Sequence, residues 1–257
     1  MTPATPAAQR PVLWQLQISH YNEKVRWALD YKRIPHTRRS MLPGVHQLIV
    51  KRLAGTVHSP VLTIGDRGIA DSSAILQAIE ERWPEPPLMP ADPRRRQRAL
   101  ELEDWFDEEL GPHIRRAVYW ELLPHPDVVI PLFADGASGV SRALLRGGFP
   151  LLRFGMKRFM NIHEEPAMRS RAKTVQALDR LERELGGNDY LVGDSFSVAD
   201  LTAASLFYPI ALPPEFPYTS PAFEDLPDGA REFIGSMRER PGAQWVGEMY
   251  RRHRLPA

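Results

Sequence analysis

Apolar positions alternate between two periods over residues 11–83 and, outside 122–166, keep a helical period beyond residue 93. Residues 12–17 alternate and predict a strand that runs into Ser19-His20-Tyr21-Asn22. Val25, Ala28 and Leu29 then share one face at helical spacing, flanked by Trp27 and Tyr31. They predict a helix over 22–32, capped by Asn22, with Glu23, Arg26 and Lys32 left for water. A short strand near 36–39 and a helical turn at 45–53 follow. "SPVLTIGDRGIADSSAILQAIEERW" reads as two strands joined by Gly65-Asp66-Arg67-Gly68, then a helix. That helix carries Ile75, Ile79 and Trp83 on one stripe and takes Asp71 or Ser72 as its cap. The β-α-β, β-β-α order predicts a small sheet covered by helices.

The proline-dense "PEPPLMPADP" at 84–93 is the best boundary, and almost everything after it is helical. Leu102, Trp105, Phe106, Leu110, Ile114, Ala117 and Val118 form a long seam, and a second stripe crosses 168–185. Between them, 122–166 is interrupted by Pro and Gly and fits neither pattern. Ser197 and Asp200 form an S-x-x-D capping box, with Phe196 and Leu201 placed to close a hydrophobic staple. That element starts a buried helix and does no chemistry.

Composition narrows the function classes. The 257 residues are 43% hydrophobic and 25% charged, with a net charge of +1, which does not point to a nucleic-acid binder. Lys supplies five of the 33 basic residues and Arg the rest, a coding bias more than a basic patch. The absence of cysteine excludes disulfides, thiolate metal sites and a cysteine nucleophile. "MTPATPAAQRP" lacks the apolar core of a signal peptide, and no apolar run reaches membrane-spanning length, so a cytoplasmic protein is the default expectation.

Three motifs, in order, resemble the cytosolic glutathione transferase family. "SHYNEKVRWAL" is similar to its active-site turn, "SPVLTIGDRGIADSSAIL" to its cis-proline strand and acidic-Ser pair, and "LVGDSFSVADL" to its folding signature. The resemblance implies an α/β glutaredoxin- or thioredoxin-like N-terminal domain followed by an all-α C-terminal domain. The expected divisions are a disordered tail (1–10), a thiol-binding domain (11–84), a linker (85–93) and a helical domain (94–257) with an extended 122–166 insertion.

The resemblance further implies a glutathione S-transferase-like enzyme, with glutathione or a similar small thiol as co-substrate and no metal. In that reading Ser19 matches the catalytic serine and donates a hydrogen bond to the sulfur. Pro60 matches the cis-proline, with Ser59 offering its backbone to the peptide. Asp71 and Ser72 match the pair that takes the γ-glutamyl end. His58 stands where the family commonly has Lys or Gln, and Tyr21 is a rival hydroxyl. A non-catalytic binding module and thiol-dependent peroxidase or isomerase chemistry are the alternatives.

The expected electrophile pocket draws on 122–166 as a cover, with Phe149, Phe154, Met156 and Phe159 joined by Tyr119, Trp120 and Tyr21. Gly147, Gly148 and Pro150 break the amphipathic face of this segment, which argues for a lid over a membrane-surface helix. His113, His125 and His163 are too scattered for a metal site. Asp104, Asp107 and Glu108 read as a solvated helix face, and Arg94 to Arg98 as a solvated helix start. The expected partners are a small thiol, an apolar electrophile and a second copy of the chain, packed through the 102–118 seam.

Overall fold

Strand β1 (Val12–Gln15) lies at the centre of a four-stranded sheet of order β2-β1-β3-β4. It pairs in parallel with β2 (Thr37–Ser40) and antiparallel with β3 (Val61–Ile64). Strand β4 (Arg67–Ala70) closes an antiparallel hairpin on β3. The turn is Gly65-Asp66 alone, because Arg67 and Gly68 already belong to β4. Helices α1 (His20–Tyr31), α2 (His46–Ala54) and α3 (Ser72–Arg82) complete this part. The computed structural model describes residues 10–254, so the expected N-terminal tail lies, apart from Arg10, outside the described residues.

The second part is helical throughout: α4 (Pro93–Glu109), α5 (Gly111–Leu122), α6 (Pro126–Phe133), α7 (Gly139–Phe159), α8 (Glu164–Leu185), α9 (Val198–Ala211), α10 (Asp228–Arg238) and α11 (Pro241–His253). The fold is therefore the α/β domain followed by an all-α domain that the motifs implied. Helix α9 is its axis, buried along nearly its whole length and packed by α1, α4, α5, α10 and α11. Its capping box is formed on both sides: Asp200 accepts from the Ser197 N–H at 2.9 Å and also from the Leu191 N–H at 2.7 Å. Leu102, Phe106, Leu110, Ile114 and Ala117 are all fully buried within the one chain, where α4 and α5 meet α8 and α9. The seam thus carries no argument for a second copy.

Three expectations are corrected. First, Ser19 occupies the N-cap position of α1 and Asn22 sits inside the helix. Second, Glu23, Arg26 and Lys32 are buried, because α1 is enclosed between the sheet, α3 and α9. Each has an opposite charge: Arg26 and Arg254 flank Glu23 at 2.7 and 2.6 Å, and Lys32 meets Glu80 at 2.6 Å. Lys32 also donates to the carbonyls of Trp83 and Pro86, fastening the proline-rich segment that leads to α4. Third, α7 continues through Gly147, Gly148 and Pro150. Only Leu145, Phe149 and Met156 on one side of it are buried, while Leu151, Phe154 and Phe159 on the other are 76%, 69% and 83% exposed.

Candidate active site

Strand register brings the motif residues to one end of the sheet. Trp14 is opposite Val61 and Val61 opposite Ala70, so continuing both ladders carries the chain after β1 toward Ser59 and places Pro60 beside Asp71. The Ser59–Pro60 peptide bond is cis. Asn22 fastens the two segments: its Oδ1 accepts from the Leu16 N–H and its Nδ2 donates to the Ser59 Oγ, both at 3.2 Å.

At the N-terminus of α1, Ser19 adopts an extended conformation and its hydroxyl makes no capping bond. It is half-buried, with a free hydroxyl where the first helical amides converge. Tyr21 is different. Its hydroxyl donates to the Asp107 carbonyl at 2.8 Å, and burial pushes its pKa up. The ring fits only because residue 111 is glycine, since a Cβ there would stand 2.1 Å from the Tyr21 oxygen.

His20 is buried with Nε2 3.1 Å from the Gly111 carbonyl. A carbonyl only accepts, so Nε2 carries the proton. Burial, with help from Arg115, lowers the His20 pKa to about 3, and the ring is neutral at working pH. The unfolded chain protonates this imidazole near pH 6.5 and the folded protein only near 3, so His20 withdraws stability as pH falls through that window. His20→Gln is expected to reduce the acid loss by up to about 1.4 kcal/mol per pH unit, read from urea midpoints between pH 7 and 5. His36, His46, His113 and His253, also lowered by burial, supply the slope that remains. An unchanged slope would remove His20 from the acid-sensitive groups.

Asp71 holds a positive φ of 74° and caps α3, its carboxylate accepting from the Ala74 N–H at 3.0 Å. An L-residue in that region stores strain, a cost found where geometry serves a site. Asp71 is exposed and Ser72 buried beside it. Behind them, fully buried Lys24 donates to Ser73 Oγ at 3.1 Å and pairs with Asp107 at 2.6 Å and with Glu103. The carboxylates of α4 are therefore divided: Asp104 and Glu108 face water, whereas Glu103 and Asp107 neutralise Lys24 from the other domain. His58 is exposed, near His46 of α2.

Next to Ser19 opens a cavity of about 580 Å³, counting its mouth. Ile18 and His20, the residues on either side of the serine, line it. Arg115, Val118, Tyr119 and Leu122 supply one helical face of α5, and Tyr208 of α9 and Leu212, just past its end, line the cavity with Phe216. Tyr208 stacks on Phe216 at 4.2 Å and donates its hydroxyl to the Ile18 carbonyl at 2.5 Å, joining the α9 wall to the serine turn. Of the seven expected pocket residues, only Tyr119 lines this cavity. Phe149 is buried under α7, Phe154 and Phe159 lie on its outer face, and Trp120 is covered by Lys157. Nor is Met156, buried under the same helix, part of the lining. The 122–166 segment contributes Leu122, the last residue of α5, and Leu132 of α6. His20, Arg115, Tyr208 and Phe216 were missed; the one signal available was the position of His20 beside Ser19. No group of residues suited to a metal occurs among the described residues.

Two family models match the chain, the glutathione S-transferase N-terminal domain over residues 13–87 and the glutathione S-transferase C-terminal domain over 143–228. The chain belongs to the glutathione S-transferase family. A glutathione S-transferase of Triticum aestivum is 27% identical over 106 residues, 41% of this chain and 49% of that protein, so the chain spans about half the length of that relative. A probable maleylacetoacetate isomerase of Caenorhabditis elegans is 29% identical over 202 residues, 78% of each chain. Among solved structures, the β-etherase LigF from Sphingobium sp. strain SYK-6 superposes with a TM-score of 0.62 at 20% identity, covering 93% of this chain and 99% of that one, which shows the shared fold. Among the described residues, no helix of this family member is long and apolar enough to cross a membrane.

Proposed function

We propose that the chain is a glutathione-dependent transferase in which Ser19 activates the thiol and the cavity beside it receives an apolar electrophile. One observation carries this reading: the free Ser19 hydroxyl lies between two residues that line the cavity, on a turn tied to the cis Ser59–Pro60 segment. In this account the Ser59 backbone pairs with the extended peptide at the sheet edge, and the α3 N-terminus with Ser72 receives the γ-glutamyl carboxylate. Asp71 faces the ammonium group. Sulfur then forms a bond to the electrophilic carbon as the leaving group departs with its electron pair, and the thiol proton goes to water.

The Caenorhabditis elegans relative favours a second use of the same residues. Reversible addition of the thiolate to a double bond, rotation and elimination of the thiolate isomerise a substrate without consuming the thiol.

Asp71→Asn separates recognition from capping, because an amide oxygen still accepts from Ala74. It is expected to weaken glutathione binding about tenfold in calorimetry, the effect of one charge-assisted contact, while the melting temperature stays within about 2 °C. Unchanged affinity would reduce Asp71 to a helix cap and remove the γ-glutamyl assignment.

A further inference from the structure

Among the residues lining the cavity, Arg115 is the single charged side chain, since His20 is neutral and the rest are apolar, aromatic or hydroxyl-bearing. Its Nε is buried without a hydrogen-bond partner, and no carboxylate pairs with its guanidinium among the described residues. Its neighbour shows what a structural arginine does here: Arg116 donates to the Met160 carbonyl at 3.0 Å and to Ser170 Oγ at 2.9 Å. The side chain as a whole is only half-buried, but a donor shielded from water is normally hydrogen-bonded, because its desolvation is otherwise uncompensated. Of the acidic groups around the serine turn, Glu103 and Asp107 are engaged by Lys24, Glu23 by Arg26 and Arg254, and Asp71 by its cap on α3.

From this geometry we infer that Arg115 binds an anionic group on the electrophile, so that the preferred substrate class is an apolar, ring-sized body bearing a carboxylate. The inference rests on the cavity being the electrophile site. Val118, Tyr119, Tyr208 and Phe216 surround the apolar body, and the planar guanidinium, with parallel N–H donors, meets a carboxylate in two-point geometry. The position of Arg115 on the first turns of α5 holds it on the cavity wall formed with Val118, Tyr119 and Leu122, so it orients the substrate as well as binding it.

The test compares 4-chloro-3-nitrobenzoate with its methyl ester, which have the same ring, leaving group and reactive carbon. Binding is measured by calorimetry without thiol, and turnover with glutathione is followed by conjugate absorbance. In turnover, sulfur bonds to the ring carbon, chloride leaves with the electron pair and the thiol proton passes to water. The wild-type protein is expected to bind the acid at least tenfold more tightly than the ester. Arg115→Met should abolish that preference while leaving ester binding and glutathione affinity within twofold, and Arg115→Lys should retain part of it. Equal binding of acid and ester by the wild type, or a preference that survives in Arg115→Met, overturns the inference. A loss of glutathione affinity in Arg115→Met also overturns it, by assigning the anion to the thiol's own carboxylate. If Arg115→Met fails to fold by circular dichroism, Arg115→Gln, which keeps length and polarity without charge, takes its place. Failure of thiol activation with the acid preference intact would count against the transferase reading alone.

Discussion

Lys24→Met is expected to remove about 3–5 kcal/mol of stability, more than any surface substitution, and to do so without touching the cavity. The lysine is fully buried and holds Ser73, Glu103 and Asp107 together across the two domains. Methionine fills much the same volume, so the loss comes from charge: two largely buried carboxylates are left without a cation. The pH dependence follows from Asp107. Burial already pushes its pKa up, Lys24 opposes that, and without the lysine the protonated form is favoured further. The folded variant then holds its proton at a pH where the unfolded chain has lost it. Its deficit relative to wild type is therefore largest near neutrality and shrinks as pH falls toward about 4. Urea unfolding at pH 7 and pH 4.5 measures both features. A loss below about 1 kcal/mol at pH 7 would show that the domains are held by apolar packing alone.

The second large effect concerns chemistry. Ser19→Ala should raise the pKa of the bound thiol by about one to two units, equivalent to roughly 1.4–2.8 kcal/mol, because one charge-assisted hydrogen bond to the sulfur is lost. A free thiol ionises near pH 8.5, so the rate with an aromatic electrophile at pH 7 should fall about ten- to a hundredfold. At pH above 9 the difference should narrow, since the thiol ionises unaided. Ultraviolet difference absorbance follows the thiolate directly. Tyr21→Phe is the control, and its hydroxyl, already donating to the Asp107 carbonyl, is expected to leave the thiol pKa unchanged. If Tyr21→Phe shifts that pKa and Ser19→Ala does not, the serine is a turn residue. If neither does and glutathione still binds, the chain is a binding module on this fold.

Legibility differed between the fold and the site. The hairpin turn, the Asp71 cap and the Ser197–Asp200 box could be read directly because each is a local device, complete within about four residues. Ser19, Ser59–Pro60 and Asp71–Ser72 could be grouped only through the family resemblance of their motifs, since each alone reads as turn or cap chemistry; the sheet register then brings the segments that carry them to one end. The cavity was not legible in this way. Aromatic residues clustered in 142–160 suggested a pocket wall, yet helical geometry divides them between a buried and an outer face of α7. The residues that line the cavity come one turn at a time from α5 and α9 and from loops as far apart as Ile18 and Pro221.

The sequence by itself determined the order of elements through residue 83, the two-part architecture and the absence of any cysteine chemistry. Periodicity and capping are local, and covalent composition is independent of the fold. Only the tertiary structure decided the fate of the charged residues. Lys24 and Asp107 are 83 positions apart, and Glu23 and Arg254 are 231 apart. A charged residue on a helix reads as solvent-facing until its partner is placed, because burial of one ion depends on a counter-ion that no local pattern contains. By the same reasoning Arg115, a residue like many others along this Arg-rich chain, acquired its meaning only when the packing around it left its Nε without a hydrogen-bond partner among the described residues.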